Sequence, residues 1–355
     1  MAAVGPGLRR DDGAETGRVL RRHGRVAVLL LLLSAFPCAW AVGQQNDLMP
    51  VWRQVFARPA ARPPSPANHP ATDAKVALGR DLFHDTRLSG DRTRSCATCH
   101  DPARSFTDGR TRGAGLDGRD LQRNTLALWN LAWGKSFYWD GRATSIEAQA
   151  AFPILHPNEM AGRWPEIIDR LKADAALDVR FHQAFTERPA IQPVTILTAL
   201  ADYERTLVSP VTRFDRWIAG DEAALTGAEI AGFRLFTGKA GCVGCHVGWR
   251  FTDDRFHDIG LESDDPGRGV VPGGVAGLRA FKTPGLREIS WTQPYMHDGS
   301  KTTLDAVLDH YAGGFVTRPG LSTNMVRGLT LDAVERSALL TFLATLSSEA
   351  PPKPD

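Results

Sequence analysis

The sequence predicts a mostly α-helical chain made of two tandem, homologous domains, and three observations carry that prediction. Apolar residues recur at helical spacing along most of the chain, and no convincing run of alternating residues marks a strand. The pentapeptide Cys96-Ala97-Thr98-Cys99-His100 returns as Cys242-Val243-Gly244-Cys245-His246. The segment Thr125–Glu147 can also be laid on Thr283–Asp305 at a constant offset of 158 without a gap. That alignment pairs Leu128 with Leu286, Leu131 with Ile289, Trp133 with Trp291, Asp140-Gly141 with Asp298-Gly299, Thr144 with Thr302 and Ile146 with Leu304, which marks an internal duplication.

C-x-x-C-H is the attachment signature of c-type haem. Two thiols two residues apart can each form a thioether to one porphyrin, and the adjacent His can reach its iron. A thioredoxin-like pair would need no His and no second copy. A zinc site would lack a fourth ligand at suitable spacing. The fold class is therefore two cytochrome c-type domains in tandem, each around one covalent haem, held by Cys96, Cys99 and His100 and by Cys242, Cys245 and His246.

In chain order, residues 1–43 read as a signal peptide. Arg18, Arg21, Arg22 and Arg25 precede an apolar run from Val26 to Phe36 and small residues at Ala39, Ala41 and Gly43. The run falls short of the ~20 residues of a membrane span, so cleavage rather than anchoring is expected, with no span left afterwards. Cys38 leaves with the signal, and every remaining cysteine then belongs to a haem motif. The formal charge of +2 argues against a nucleic-acid partner. Export fits c-type haem, which is attached outside the inner membrane, so the periplasm is expected.

Residues 44–70 are a proline-rich lead-in, read as extended, with Trp52 and Phe56 as candidate anchors. The first domain is expected over 71–210, with helices at Ala71–Phe83, Ser145–Phe152, Trp164–Lys172, Ala175–Thr186 and Val194–Leu207. The second is expected over 211–348, with helices at Arg213–Ala219, at Gly227–Phe236 behind a Thr226/Glu229 capping box, and near the end behind Thr330. Gly260–Gly277, rich in glycine, is expected to be loop.

The two halves differ at informative places. Trp139 stands opposite His297, and Pro153 stands opposite Tyr311. A Tyr phenolate can bind ferric haem and a Pro cannot. If Tyr311 closes the second iron while the first stays open, the first binds a small oxidant and the second stores and passes electrons. His310, His297, His257, Met296 and Met325 are rival ligands for the second iron, and His156 for the first.

Arg123-Asn124-Thr125, Phe137-Tyr138-Trp139-Asp140-Gly141-Arg142, Pro157-Asn158-Glu159-Met160, Phe281-Lys282-Thr283-Pro284 and Pro294-Tyr295-Met296-His297-Asp298-Gly299 resemble the bacterial dihaem cytochrome c peroxidases and their MauG-like relatives. The resemblance covers nearly the whole chain beyond the signal. It implies a peroxide-reactive first haem with Glu159 and Gln149 on its distal side, and Trp139 as a relay between haems. It also implies one calcium ion between the domains at Asn124 and the carbonyls of Thr292 and Pro294. Without it, Glu159 would read as a first-turn helix acid, Trp139 as a core aromatic and Asn124 as a turn residue.

Two departures from the conventional peroxidases bear on the subfamily. Residues 101–123 contain no His to close the first iron, and Tyr311 stands where those enzymes carry a Met. Both favour a MauG-like enzyme that uses hydrogen peroxide to oxidise a side chain of a partner protein. The alternatives are a peroxidase fed by a small electron-donor protein and a pure electron-transfer cytochrome.

Overall fold

The computed structural model describes residues 48–187, 190–274 and 277–352. The signal peptide read at 1–43 lies outside the described residues. The architecture is helical, with one two-residue antiparallel ladder, β1 (Phe256–His257) with β2 (Phe281–Lys282).

The lead-in is not wholly extended. Met49–Phe56 forms helix α1, with Pro50 in the first turn, where its missing N–H has no intrahelical partner to lose. Trp52 and Phe56, four residues apart, fall on one face and are buried. Phe56 packs among Phe214, Phe233 and Phe251, so this segment belongs to the core of the second half. The density of prolines around it hid a two-residue helical signal.

Helix α2 (Asp73–His84) is capped by Thr72, whose side chain accepts from the Lys75 N–H. After it come the single turn α3 (Cys96–Cys99), α4 (Ile146–Leu155), α5 (Trp164–Lys172), α6 (Ala175–Ala184) and α7 (Pro193–Thr206). The second half contributes α8 (Arg213–Ile218), α9 (Gly227–Thr237), α10 (Leu304–Asp309) and α11 (Ala333–Ala344). The Thr226/Glu229 capping box forms as expected. The last helix is capped by Asp332 rather than Thr330, because the Asp332 carboxylate accepts from both Val334 and Glu335.

Both halves rest on the same helix crossing. Gly79 of α2 lies against the Ala199 carbonyl of α7, where a Cβ would come within 1.9 Å. Gly232 of α9 lies the same way against Ala338 of α11, at 2.0 Å. Only glycine allows backbones so close. Each of these glycines stands three residues before a Leu-Phe pair, Leu82-Phe83 and Leu235-Phe236. One core gathers Leu78, Phe83, Phe106, Phe181 and Ile196; the other gathers Phe214, Phe233, Phe251, Leu339 and Phe342. A buried ion pair, Arg287 Nη2 to Asp215 Oδ1 at 2.7 Å, with Arg58 beside it, ties α8 to the second half.

The duplicated segment is a structural repeat at the same offset. Asn130 and Glu288, Tyr138 and Met296, and Gly141 and Gly299 all take left-handed backbone. The bridges Phe137–Ala143 and Tyr295–Lys301 correspond, and Ser145 and Thr303 cap the helices that follow. The halves diverge next. Helix α4 runs on through Pro153 to Leu155 rather than stopping at Phe152. Proline brings no N–H for the carbonyl four residues back, that of Gln149, and the Tyr138 hydroxyl donates to it instead at 3.0 Å.

Candidate active site

The first centre is one turn of helix. Ser95 and Thr98 cap it reciprocally, which holds Cys96 and Cys99 three residues apart on one face and leaves His100 at its end. The His100 Nδ1 lies 3.0 Å from the Phe106 carbonyl. A carbonyl only accepts, so Nδ1 carries the proton and Nε2 keeps its lone pair. Phe106 and Ser105 both take left-handed backbone, which turns that carbonyl inward.

The second centre repeats this. Cys242–Gly244 forms a short 3₁₀ turn, and His246 Nδ1 lies 2.9 Å from the Phe251 carbonyl. Burial lowers the pKa of both imidazoles, which favours the neutral form that binds iron. None of the four described cysteines is in a disulfide. Two thiols on one turn with an oriented, neutral imidazole at its end are the donor set that covalent haem requires. A cavity of about 290 Å³ opens beside Cys99, lined also by Arg94, Thr98 and Arg110.

Glu159 stands beyond α4, half buried, with His156 Nδ1 at 3.6 Å. Burial raises its carboxyl above the usual range, against the pull of His156 and Arg142. Its charge bears on Cys99 and on Tyr138, so it shares the surroundings of the first centre. Gln149 is half buried on α4. His156 is exposed at the surface.

Trp139 is buried at the junction between the halves. Its Nε1 donates to the Asn124 carbonyl at 2.9 Å, and its ring meets His297 edge-to-face. The Asn124 N–H donates to the His297 carbonyl and the Lys282 N–H to the Trp139 carbonyl. The Asn124 side-chain amide donates to the Arg110 carbonyl at 2.9 Å. Thr292 and Pro294 stand in the turn just before His297.

Tyr311 follows α10 in a wide turn over His310–Gly314. Burial, and then the Cys242 and Cys245 thiols, hold its phenol proton far more tightly than usual, so its hydroxyl lies within the field of the second centre. The neighbouring His310 turns away, with Nε2 3.0 Å from the Ile259 carbonyl. His257 is engaged by Asp253 at 2.8 Å and Ser322 at 3.0 Å, and His297 stacks on Phe281 at 3.5 Å. Cys245, Asp253 and His257 lie close enough to hold a metal ion, but Cys245 belongs to the haem motif.

Sequence reasoning passed over Tyr138 and Arg142. The Arg142 guanidinium lies 3.7 Å over the Tyr138 ring and is held by Asp140, which also pairs with Arg123. Arg123 continues to Asp265 at 2.7 Å. The repeat held the signal: Tyr138 faces Met296 and Arg142 faces Ser300 at the common offset.

Comparison with known proteins agrees with this construction. The family model described as di-haem cytochrome c peroxidase matches residues 73–223. The methylamine utilization protein MauG of Methylorubrum extorquens is 48% identical over 314 residues, 88% of each chain. That of Methylophilus methylotrophus is 41% identical over 94% of this chain and 97% of its own. The crystal structure of a MauG-like protein associated with microbial copper homeostasis superposes with a TM-score of 0.75 at 33% identity, over 83% of this chain and 95% of the other. With two attachment centres built alike around cysteine pairs and oriented histidines, this chain belongs to the di-haem cytochrome c peroxidase family and is an oxidoreductase with two covalently bound c-type haems.

Proposed function

We propose that this di-haem oxidoreductase works in the periplasm as a MauG-like enzyme, with hydrogen peroxide reacting at the first centre and a side chain of a partner protein being oxidised. The observation that carries this reading is Tyr311, half buried and packed with Cys242 on the second core, where the first half has Pro153. His246 and Tyr311 would together hold the second haem and leave peroxide no place there. The first half has no such side chain at the equivalent place, and residues 101–123 have no His. The similarity to two MauG proteins supports the same reading.

The haems, when bound, supply the electron chemistry; the chain supplies the rest. Glu159, with its carboxyl held above the usual range, can take the proton of incoming peroxide and return it to the departing oxygen. Gln149, half buried on α4, is the second distal residue of this reading. Trp139 stands between the halves as the electron relay. Asn124, with the carbonyls of Thr292 and Pro294, would hold one calcium ion through oxygen ligands alone.

Spectroscopy of the resting diferric protein tests the reading. The expected result is one high-spin haem and one six-coordinate His/Tyr haem, with reaction on direct addition of peroxide. A His/Met low-spin haem, or an enzyme inert until half reduced, would overturn it in favour of a conventional cytochrome c peroxidase.

A further inference from the structure

Tyr138 and Trp139 are adjacent in the chain, and both are side chains able to lose an electron, yet their surroundings differ. A cation lies over Tyr138: the Arg142 guanidinium, 3.7 Å from the ring centroid. It cannot drift, because Asp140 holds it at 2.9 Å and is itself clamped by Arg123 and, through Arg123, by Asp265. The Tyr138 hydroxyl is spent on the Gln149 carbonyl that Pro153 leaves without a helix partner. A peptide carbonyl accepts a hydrogen bond but takes no proton at ordinary pH.

Trp139 has the opposite setting. Among the described residues no guanidinium or ammonium stacks on its ring. Its ring neighbour is the buried His297, met edge-to-face. The indole N–H rests on the Asn124 carbonyl.

We propose that Arg142 decides which of these two neighbouring aromatic side chains is oxidised, shielding Tyr138 and leaving Trp139 as the site that gives up an electron. This rests on the reading of Trp139 as the relay. Reducing one hydrogen peroxide to two waters consumes two electrons and two protons. Each of the two electrons leaves Trp139 in turn, producing an indole cation that keeps its N–H on the Asn124 carbonyl, and the partner protein's side chain returns both electrons and releases the two protons that complete the waters. An electron leaving Tyr138 puts positive charge on the ring until the phenolic proton departs to water. A guanidinium fixed over the ring opposes positive charge there. Arg142 is thus a positioning residue for the redox path.

The test is freeze-quench electron paramagnetic resonance on the diferric holoenzyme after peroxide, with peroxide consumption followed in parallel. Wild type should show no radical on Tyr138. Arg142→Gln should bring up a tyrosyl signal that wild type lacks, because the cation over the ring is gone. Arg142→Met must do the same, and serves if the Gln variant loses haem. Arg142→Lys keeps the charge and should stay near wild type. Adding Tyr138→Phe to Arg142→Gln should abolish the signal. The proposal is overturned if the charge-removing variants consume peroxide without a tyrosyl signal, or if wild type already shows one that Tyr138→Phe removes. Trp139→Phe, assayed for oxidation of the donor, tests the relay reading separately: unchanged donor oxidation sinks the relay and leaves the shielding of Tyr138 to be decided by its own signal.

Discussion

Trp139 and His297 occupy the same place in the two copies of the repeat, and their rings meet, 6.5 Å between centroids and 72° between planes. The contact is reciprocal in the backbone. Asn124 donates to the His297 carbonyl at 2.8 Å, and its repeat partner Lys282 donates to the Trp139 carbonyl at 2.7 Å. The two halves therefore join through an approximate two-fold relation between duplicated segments, with an aromatic pair on the axis. The duplication itself produces the meeting, and the proposed electron relay would run through this indole.

Trp139→Phe separates the structural part of this arrangement from the redox part. Both backbone bonds survive, and loss of the Nε1–H bond should cost only about 1 kcal/mol. Haem content and the urea midpoint should stay close to wild type, while oxidation of a donor by the peroxide-treated enzyme slows by about tenfold or more, equivalent to roughly 1.4 kcal/mol of barrier. Stopped-flow mixing with the donor reads the rate.

Glu159→Gln removes the proton acceptor and keeps the shape. Peroxide reaction in the diferric enzyme should fall by about 100- to 10,000-fold. Because burial raises the Glu159 carboxyl above the usual range, the wild-type rate should climb as pH rises through a midpoint above that of an ordinary carboxylate. The Gln variant should be flat there, and a profile identical in both proteins would remove Glu159 from the reaction.

Replacing Tyr311 distinguishes it from its rivals. Tyr311→Phe should change the spectrum of the second haem, and Tyr311→Met should raise its reduction potential by replacing an anionic oxygen donor with a neutral thioether. A redox titration of the holoenzyme measures both. An unaltered second haem in the Phe variant would pass the role to another side chain.

Glu204 makes a prediction about stability. It is 4% exposed on α7, with Oε2 unpartnered among the described residues, and burial pushes its pKa up to about 8. The unfolded chain loses this proton at the ordinary carboxyl pH and the folded chain only near 8. Between those values folding is progressively penalised as pH rises, and below them the penalty vanishes. Glu204→Gln should therefore stabilise the fold by on the order of 1–3 kcal/mol at pH 7 and by little at pH 4.5. Urea denaturation at the two pH values checks this, and an equal effect at both would contradict it.

What the sequence by itself determined is what short-range chemistry dictates. The thiol spacing of each C-x-x-C-H turn, the Thr226/Glu229 capping box, and the offset that pairs the halves are set by residues a few positions apart, whose covalent geometry leaves little choice. The Pro153/Tyr311 mismatch was visible for the same reason. The sequence also held the crossing glycines, Gly79 and Gly232, three residues before each Leu-Phe pair, but nothing short of the packed helices gives them meaning.

Only the tertiary structure decided which surfaces meet. That α1 enters the second core, that Trp139 touches His297, that Tyr138 completes α4 through Gln149 and lies beneath Arg142, and that Glu204 is sealed away from water all depend on groups far apart in the chain. Their energies come from burial and from charges brought close in a low-dielectric interior. Those terms exist only once the helices have packed, so no local pattern in the sequence could announce them.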